Sequence, residues 1–240
     1  YEFVNTILKM LQENRSCTDC SQDKCLISKY CSKQWKQTLD LQRTTGVYQE
    51  KQAIFSEDNL AFGVYIIYKG KVKIFNSGKH GKQHIIRFAG AGDVLGFKGH
   101  SDKNYRVSST ALEYTEVCFL EKNTFSDTIK ENPEFAVALI QYYARDLAFL
   151  EFHQKNLVQF NTRNRVVEAL LIIKKYFGVT TDQGTLLDVN LSQQSIADIA
   201  GVTVEEVNRT LAVLRKEKKI LLLNRKKIVL LNVDSLLEMI

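Results

Sequence analysis

Five cysteines are the residues of this chain whose type and spacing best fit chemistry. Four lie near its start, in the pattern Cys17-x2-Cys20-x4-Cys25-x5-Cys31, and the fifth is Cys118. Thiolates at such spacings hold metal ions or iron–sulfur clusters, or form redox-active pairs. The residues alone leave four alternatives open: an iron–sulfur cluster, a structural Zn2+ on the first four cysteines, a redox-active pair, or no metal. Cys118 also fits a small hydrophobe buried on a strand.

The composition is that of a soluble globular protein of one large or two ordinary domains. The chain has 240 residues, 45% hydrophobic and 25% charged, and no apolar run approaches the roughly 20 residues that span a bilayer. No signal peptide is visible, so we expect a cytoplasmic protein that does not bind membranes. Cysteines in that compartment serve as ligands or redox thiols rather than as disulfides. The motifs G-x-S-x-G, Walker A and H-E-x-x-H are absent from the sequence, and we expect no enzymatic activity.

The elements that must position the cysteines fall into four regions. Residues 1–35 form a cysteine-bearing arm, and residues 36–131 contain short apolar strands broken by glycine turns, which predict an all-β roll. Residues 132–158 have the pattern of one long helix with Pro133 in its first turn, and residues 159–240 follow it. An apolar stripe on the long helix fits either packing within the chain or the seam of a dimer. The stripe consists of Phe135, Leu139, Tyr142, Leu147, Leu150, Leu157 and Phe160.

Two short amphipathic helices meet at Ala200-Gly201 in the last region, and a basic loop and a β-hairpin pattern follow the second helix. Ser192 and Thr203 occupy N-cap positions, and Thr203-Val-Glu-Glu206 has the spacing of a capping box. This arrangement predicts a winged helix-turn-helix, which lays its second helix in the major groove of DNA. An ordinary helical hairpin with a charged surface is the alternative.

Charge and side-chain type in this region favour double-stranded DNA as the partner. Residues 207–230 contain eight basic residues and one acidic residue, a formal charge of +7; since the whole chain carries +6, the remainder sums to −1. Glu205, Asn208 and Arg209 are left on the outward face of the second helix, and each can hydrogen-bond a base edge. The residues expected to contact DNA are Ser192, Thr203, Glu205, Asn208, Arg209, Arg215 and Lys226.

Three motifs resemble those of the CRP/FNR family of bacterial transcription regulators. Tyr65-Ile-Ile-Tyr-Lys-Gly-Lys-Val-Lys-Ile74 is similar to the strand–glycine–strand hairpin of the family's effector domain, Gly92-Asp-Val-Leu-Gly96 to its glycine turn, and Val204-Glu205-x-x-Asn208-Arg209 to its recognition helix. The resemblance covers nearly the whole chain. It implies an α+β fold with a cyclic-nucleotide-binding-like β-roll, a long dimerisation helix and a C-terminal winged helix-turn-helix. It also implies a homodimer that binds a palindromic operator and works with RNA polymerase.

The resemblance is nearer to the FNR branch, because position 204 is Val where the cyclic-AMP branch has arginine. That branch senses oxygen through a [4Fe–4S] cluster on three arm cysteines and one distant cysteine. Carried over by position, the ligands are Cys20, Cys25, Cys31 and Cys118. The gap between the first two of these is longer than in the branch, so Cys17 is the substitute ligand. Zinc is the alternative metal.

A cyclic nucleotide is not expected in the roll. The cyclic-AMP branch holds the ribose with an acid where this chain has Phe97, and it grips the phosphate with an Arg-Ser pair where this chain has Tyr105-Arg106. Cyclic AMP therefore loses most of its polar contacts here. The competing interpretation of the whole chain is a regulator gated by another small molecule in the roll, or by none, whose cysteines bind zinc or nothing.

Overall fold

The computed structural model describes residues 16–78, 81–97, 103–223 and 227–240. Its architecture confirms the expected α+β fold: a β-roll, one long helix and a C-terminal domain with a helix-turn-helix. The first fifteen residues of the cysteine-bearing arm and the expected DNA contact Lys226 lie outside the described residues. No helix in the described ranges is long and apolar enough to cross a membrane.

Two short helices lead from the arm into the roll, and a third helix closes it. The helices are α1 (Leu26–Tyr30), α2 (Lys33–Gln42) and α3 (Lys122–Glu131). The strands are β1 (Thr44–Tyr48), β2 (Ala53–Phe55), β3 (Gly63–Lys69), β4 (Val72–Ser77), β5 (Gln83–Ala89), β6 (Val94–Leu95), β7 (Ser108–Ala111) and β8 (Thr115–Glu121). The boundary expected between residues 35 and 36 falls inside α2, because the β pattern begins only at Thr44.

The roll consists of two antiparallel four-stranded sheets, in the orders β1-β8-β3-β6 and β2-β7-β4-β5. Side chains from both sheets fill the space between them, among them Ile67, Val72, Ile74 and Val117. The outer face of the first sheet packs against α1, α3 and the start of the long helix. Because β3 is covered on both faces, its residues form a nearly continuous apolar run.

The long helix α4 (Pro133–Gln159) and helix α5 (Thr162–Phe177) connect the roll to the C-terminal domain. The first part of α4 belongs to the roll, since Phe135 and Leu139 are buried beside α3. Near its end, the Asn156 amide donates to the buried Glu168 carboxylate on α5, at 2.7 Å. The two helices are therefore joined by a buried polar contact as well as by apolar packing.

The C-terminal domain completes the winged helix-turn-helix. After α5 it contains β9 (Gly178–Thr181), β10 (Gly184–Leu187), α6 (Gln193–Ala200), α7 (Val204–Lys216), β11 (Ile220–Leu223), β12 (Lys227–Leu230) and α8 (Val233–Leu237). Its sheet has the order β11-β12-β10-β9. The β11–β12 hairpin is the wing. α5, α6 and α7 pack on one another through buried aliphatic residues such as Leu170, Ile199 and Leu214.

The roll packs directly on this domain. Phe75, Ile85 and Phe88 from β4 and β5 belong to the same buried cluster as α5 and α6. Beside them, the His84 ring lies 3.0 Å from the Asp198 carbonyl of α6. The first helix of the helix-turn-helix is thus held between α5 and the roll.

The turn between α6 and α7 gives a test of the fold. Gly201 ends α6 with a φ of 61°, and nothing crowds the position of a Cβ. Gly201→Ala should therefore lower the free energy of unfolding by about 1–2 kcal/mol, the cost of a left-handed backbone in an L residue. Chemical denaturation measures this change.

Gly90→Ala is the matched control, because Gly90 also has open space at Cβ but no positive φ. An equal loss of stability in both variants would contradict the backbone explanation.

Candidate nucleic-acid interface and cysteine site

The structure brings Glu205, Asn208 and Arg209 to the exposed face of α7, the second helix of the helix-turn-helix. The opposite face is buried through Val207, Leu211 and Leu214. α7 is therefore fixed in the domain by one apolar face and presents the other to a partner. Contact of these three side chains with base edges remains a prediction.

Both helices of the helix-turn-helix begin at the N-caps that the sequence indicates. The Ser192 hydroxyl accepts a hydrogen bond from the Ser195 amide at 3.1 Å, and Thr203 and Glu206 form a reciprocal capping box. The hydrogen bonds from the Thr203 amide and hydroxyl hold the pKa of Glu206 below its ordinary value. Ser192 and Thr203 stay exposed, so the caps fix both N-termini, which are favourable positions for DNA phosphates.

Arginines of α5 support the recognition helix at both ends, and sequence reasoning missed them. The Arg165 guanidinium donates to the Gly201 carbonyl at 3.2 Å, next to the N-terminus of α7. The Arg163 guanidinium donates to both carboxylate oxygens of Glu217, at 2.7 Å each, just after α7 ends. Both contacts come from one terminal nitrogen, Nη2, and they join the start of α5 to the end of α7. The partners of both arginines are distant in sequence, which is why no local pattern revealed them.

The remaining basic residues extend the surface toward the wing. Arg215 and Lys216 lie exposed in the last turn of α7. Lys227 begins wing strand β12, and its ammonium lies 3.4 Å from the Asp188 carboxylate. The expected contact Lys226 lies outside the described residues.

Four of the five cysteines line one cavity between the arm and the first sheet of the roll. Cys17, Cys20 and Cys25 reach it from the arm, and Cys118 reaches it from β8. The cavity has a volume of about 30 Å3 and is partly open to solvent. Within the described part of the chain, no three His, Cys, Asp or Glu side chains are grouped as ligands of a single metal ion.

Cys31 does not line the cavity. Cys25 and Cys31 flank the short helix α1 as its N-cap and C-cap residues. Six residues of helix advance the chain by about 9 Å, so the two thiols lie at opposite ends of α1. Cys31 is buried in the apolar cluster beside α3 and α4, to which Cys25 also belongs. The cavity thus groups Cys17, rather than Cys31, with Cys20, Cys25 and Cys118, while the ligand set implied by the resemblance stays a prediction.

Burial favours the neutral form of the Cys17 and Cys25 thiols in the cavity. Burial raises the pKa of Cys17 to about 12, although nearby Arg43 opposes this effect, and burial also raises the pKa of Cys25. The Cys31 thiol likewise has a pKa of about 12, chiefly through burial. Loss of the protons from neighbouring buried thiols therefore requires positive charge in the cavity, which bound metal supplies.

Polar residues around the cavity fix the arm on the roll. The Asp40 carboxylate on α2 accepts hydrogen bonds from the Ser16 hydroxyl and the Cys17 amide. The Arg43 guanidinium lies 3.4 Å from the same carboxylate and 3.7 Å from the Cys118 sulfur. A cation is thus already placed beside the thiols, a feature that the cysteine spacing could not reveal.

The glycine turn of the roll also faces the arm. Gly92 has a φ of 91°, and a Cβ there would lie 2.7 Å from the Lys24 carbonyl carbon. Only glycine allows so close an approach of the arm to the roll. The Gly92 position therefore has a packing reason in this chain, beside the cysteine segment.

A second cavity lies inside the roll, and its lining includes Phe97, Tyr105 and Arg106, the positions that the resemblance aligns with nucleotide contacts. Its walls include Phe97, whose ring stacks on Tyr143 with centroids 4.3 Å apart. The buried Arg87 guanidinium lies 3.3 Å from the Asp146 carboxylate on α4. An aromatic pair and an ion pair therefore form part of the cavity wall.

Comparison with known proteins agrees with both halves of this geometry. The model of the cyclic nucleotide-binding domain matches residues 46–132, and that of the Crp-like helix-turn-helix domain matches residues 164–239. The chain belongs to the CRP/FNR family of bacterial transcription regulators. Like other members of the CRP/FNR family, it is a DNA-binding transcription regulator.

Individual relatives of this CRP/FNR regulator include several with named roles. It is 29% identical to the nitrogen fixation regulation protein FixK of Azorhizobium caulinodans over 189 residues, covering 78% of this chain and 75% of that protein. It is also 29% identical to the global nitrogen regulator of a Nostoc species over 188 residues, covering 75% of this chain and 82% of that protein.

Solved structures of the CRP/FNR family share the fold. FixK2 of Bradyrhizobium japonicum is 25% identical with a TM-score of 0.72, covering 82% of this chain and 96% of that one. A CooA mutant of Carboxydothermus hydrogenoformans is 21% identical with a TM-score of 0.74, covering 90% of this chain and 95% of that one.

Arg209 gives a test of the recognition surface of this CRP/FNR regulator. Arg209→Ala should weaken binding to a selected operator by about 10- to 100-fold, because a bidentate contact with a base is worth about 1–3 kcal/mol. Binding to random duplex DNA should change far less. Fluorescence anisotropy with both duplexes measures the two affinities.

Lys216→Ala is the control, because it removes the same charge from the exposed end of the same helix. It should weaken binding to the operator and binding to random duplex DNA to similar extents. Retention of full operator specificity by Arg209→Ala would show that the recognition surface is assigned incorrectly.

Proposed function

We propose that this regulator senses oxygen or redox state through an iron–sulfur cluster held by Cys17, Cys20, Cys25 and Cys118, and that it acts as a homodimer on a palindromic operator. The observation that carries the proposal is the single cavity lined by three arm cysteines and one cysteine of the roll. Four thiols around a cavity suit a cluster, in which each thiolate binds a different iron atom.

The donor set and its surroundings fit such a group. All four donors are sulfur, the ligand that iron–sulfur clusters require. A [4Fe–4S] cluster with four thiolate ligands would carry net negative charge, and the Arg43 guanidinium, 3.7 Å from the Cys118 sulfur, would partly neutralise it. The apolar walls formed by Ile27, Ile66 and Leu120 restrict water around the sulfurs.

The cluster would supply reactivity toward oxygen, which destroys accessible clusters. The residues of this chain supply the mechanical response. Cys17, Cys20 and Cys25 belong to the arm, and Cys118 belongs to β8, so a ligand set drawn from both ties the arm to the roll. Loss of that tie changes the relative stability of two arrangements of the regulator, and so shifts their populations.

Iron and acid-labile sulfide in protein purified without oxygen test the cluster. The wild type should contain about four of each per chain, with visible absorption that bleaches in air. Cys17→Ser should lose most of both, because Cys17 is one of the four proposed ligands.

Cys31→Ser is the matched control and should retain the wild-type iron and sulfide, because Cys31 lies at the far end of α1. Loss of the cluster in Cys31→Ser with retention in Cys17→Ser would refute the geometric ligand set in favour of the set implied by the resemblance. Stoichiometric zinc, or no metal in the wild type, would refute the cluster itself.

The homodimer is supported by the surface of α4. Helix residues that face away from the roll include several large apolar side chains, of which Ile140 is 69% exposed and Val158 is 83% exposed. Val137, Ile140, Leu147 and Val158 follow spacings of three, seven and eleven residues, close to a heptad repeat. The stripe expected from the sequence divides: Phe135 and Leu139 pack inside the chain, while Leu147 is exposed.

Ile140→Glu should therefore shift the regulator from dimer toward monomer, because a charge would enter an apolar seam. Sedimentation equilibrium gives the dimer dissociation constant, which should rise by at least about tenfold. Gln141→Glu places the same charge on the neighbouring exposed position and should leave the constant unchanged. A wild-type protein that is monomeric at micromolar concentration would contradict the dimer. RNA polymerase as a partner stays a prediction from the resemblance.

A regulator gated by a small molecule in the roll remains the second candidate. The aromatic cavity that contains Phe97, Tyr143 and the Arg87–Asp146 pair favours it over an effector-free protein. Its ligand would be a flat organic molecule rather than a cyclic nucleotide. If operator affinity is unchanged by exposure to air but changes with an added small molecule, the result would support this candidate over the redox sensor.

A further inference from the structure

Lys71 lies at the tight turn between β3 and β4, on the side of the roll that faces the C-terminal domain. The preceding Gly70 has a φ of 113°, and a Cβ there would lie 2.7 Å from the Thr115 backbone. The Lys71 carbonyl accepts a hydrogen bond from the Leu112 amide at 2.7 Å. The backbone of the turn is therefore closely packed on its neighbours, and the Lys71 side chain starts from a fixed point.

The Lys71 ammonium reaches across to the C-terminal domain. It lies 3.0 Å from the Asp188 carboxylate, donates to the Asp188 carbonyl, and lies 3.2 Å from the Glu113 carboxylate within the roll. Its side chain is only 20% exposed. Burial acts to lower the pKa of Lys71, but the hydrogen bonds with Asp188 and Glu113 outweigh it and raise that pKa. The ammonium therefore stays charged at neutral pH.

Asp188 is the point where the helix-turn-helix and the wing meet. It follows β10, four residues before the Ser192 cap, and its amide donates to the Phe177 carbonyl at the end of α5, at 2.8 Å. Its second carboxylate oxygen lies 3.4 Å from the Lys227 ammonium on wing strand β12. A chain of alternating charge thus runs from the roll to the wing, through Glu113, Lys71, Asp188 and Lys227 in that order.

The other end of the same turn touches the cysteine-bearing arm. Tyr68, three residues before Lys71, forms part of the wall of the cysteine cavity. The Gln22 side-chain amide donates to the Tyr68 backbone carbonyl at 2.9 Å, and the Ser21 and Tyr68 hydroxyls lie 3.0 Å apart. A single short segment, residues 68–71, therefore contacts both the arm between Cys20 and Cys25 and the entrance to the DNA-reading domain.

We propose that Lys71 is a positioning residue for DNA recognition: through Asp188 it fixes the helix-turn-helix and the wing against the roll, and it transmits displacement of the arm at Tyr68 to that surface. The positioning role rests on the DNA-binding function of the family, and the link to the arm also rests on the proposed cysteine site. This route is separate from α4, because it runs through the β3–β4 turn and the wing.

A double-mutant cycle, in which the operator affinity of each variant is measured, tests the positioning role. Lys71→Met and Asp188→Asn should each weaken operator binding by about 5- to 30-fold, because a domain that is no longer held must be ordered at the binding step. Their combination should weaken binding by clearly less than the product of the two single effects, since both variants remove the Lys71–Asp188 interaction. Iron and sulfide contents equal to the wild type would show that the cysteine site is intact.

Two further variants separate positioning from charge and from stability. Lys69→Met removes the same charge from the exposed side of the same turn and should leave operator affinity within about twofold of the wild type. Lys71→Arg retains a donor and should restore most of the affinity. Tighter operator binding by Lys71→Met, or strictly additive effects of Lys71→Met and Asp188→Asn, would overturn the proposal.

Hydrogen–deuterium exchange reads out the link to the arm without DNA and without assuming a cluster. Lys71→Met should speed amide exchange in residues 188–191 and leave β3 and β8 unchanged. Gln22→Ala, which removes the contact with Tyr68, should also speed exchange in residues 188–191, but not in a Lys71→Met background. Unchanged exchange there in Gln22→Ala would overturn the link to the arm, and unchanged exchange in Lys71→Met would overturn the positioning role.

Discussion

One continuous hydrophobic core joins the roll to the helix-turn-helix, and the positions of both functional surfaces depend on it. The outer face of the second sheet contributes three side chains, those of Phe75, Ile85 and Phe88, which pack among the buried residues of α5 and α6. Burial of apolar area is the largest favourable contribution to such a contact. Because interiors pack at high density, a shift of the roll would be felt at the first helix of the helix-turn-helix.

Polar contacts then set the finer geometry around this core. α6 is fixed by its Ser192 cap and by His84 against the Asp198 carbonyl. α7 is fixed between Arg165 at the turn before it and the Arg163–Glu217 pair after it. Hydrogen bonds of this kind add little net stability individually, but they choose one orientation among those that the apolar contacts allow. A DNA-reading helix needs that orientation more than it needs additional stability.

The sequence predicted best those features that depend on neighbours along the chain. The strands β3, β4, β5 and β8, the long helix and the two caps follow from apolar runs, glycine turns and capping residues within a few positions. The short strand β2 and the exposed strand β9 carry too little pattern to be predicted. The tight turns at Gly92 and Gly201 had local signals, but the reason for Gly92, its approach to Lys24, required the fold.

The cysteine ligands show the same limit. Spacing alone made Cys25 and Cys31 equivalent candidates, and only the helix between them separates their thiols. Likewise, Arg43 and Asp40 lie in no motif, and the hairpin motif that contains Lys71 gives no sign of its partner. These residues matter because distant segments place them beside Cys118, Cys17 and Asp188. Local physics fixed the elements, and long-range packing decided which side chains meet.

The division of the cysteine cavity between two distant parts of the chain also has a consequence for biosynthesis. Cys118 is synthesised about a hundred residues after Cys17, and it reaches the cavity only when β8 is paired between β1 and β3. The arm can therefore offer three thiols early, but the fourth arrives only with a folded sheet. Completion of the site is thus a late step, and any group that requires all four thiols would be acquired only by chains whose roll has already formed.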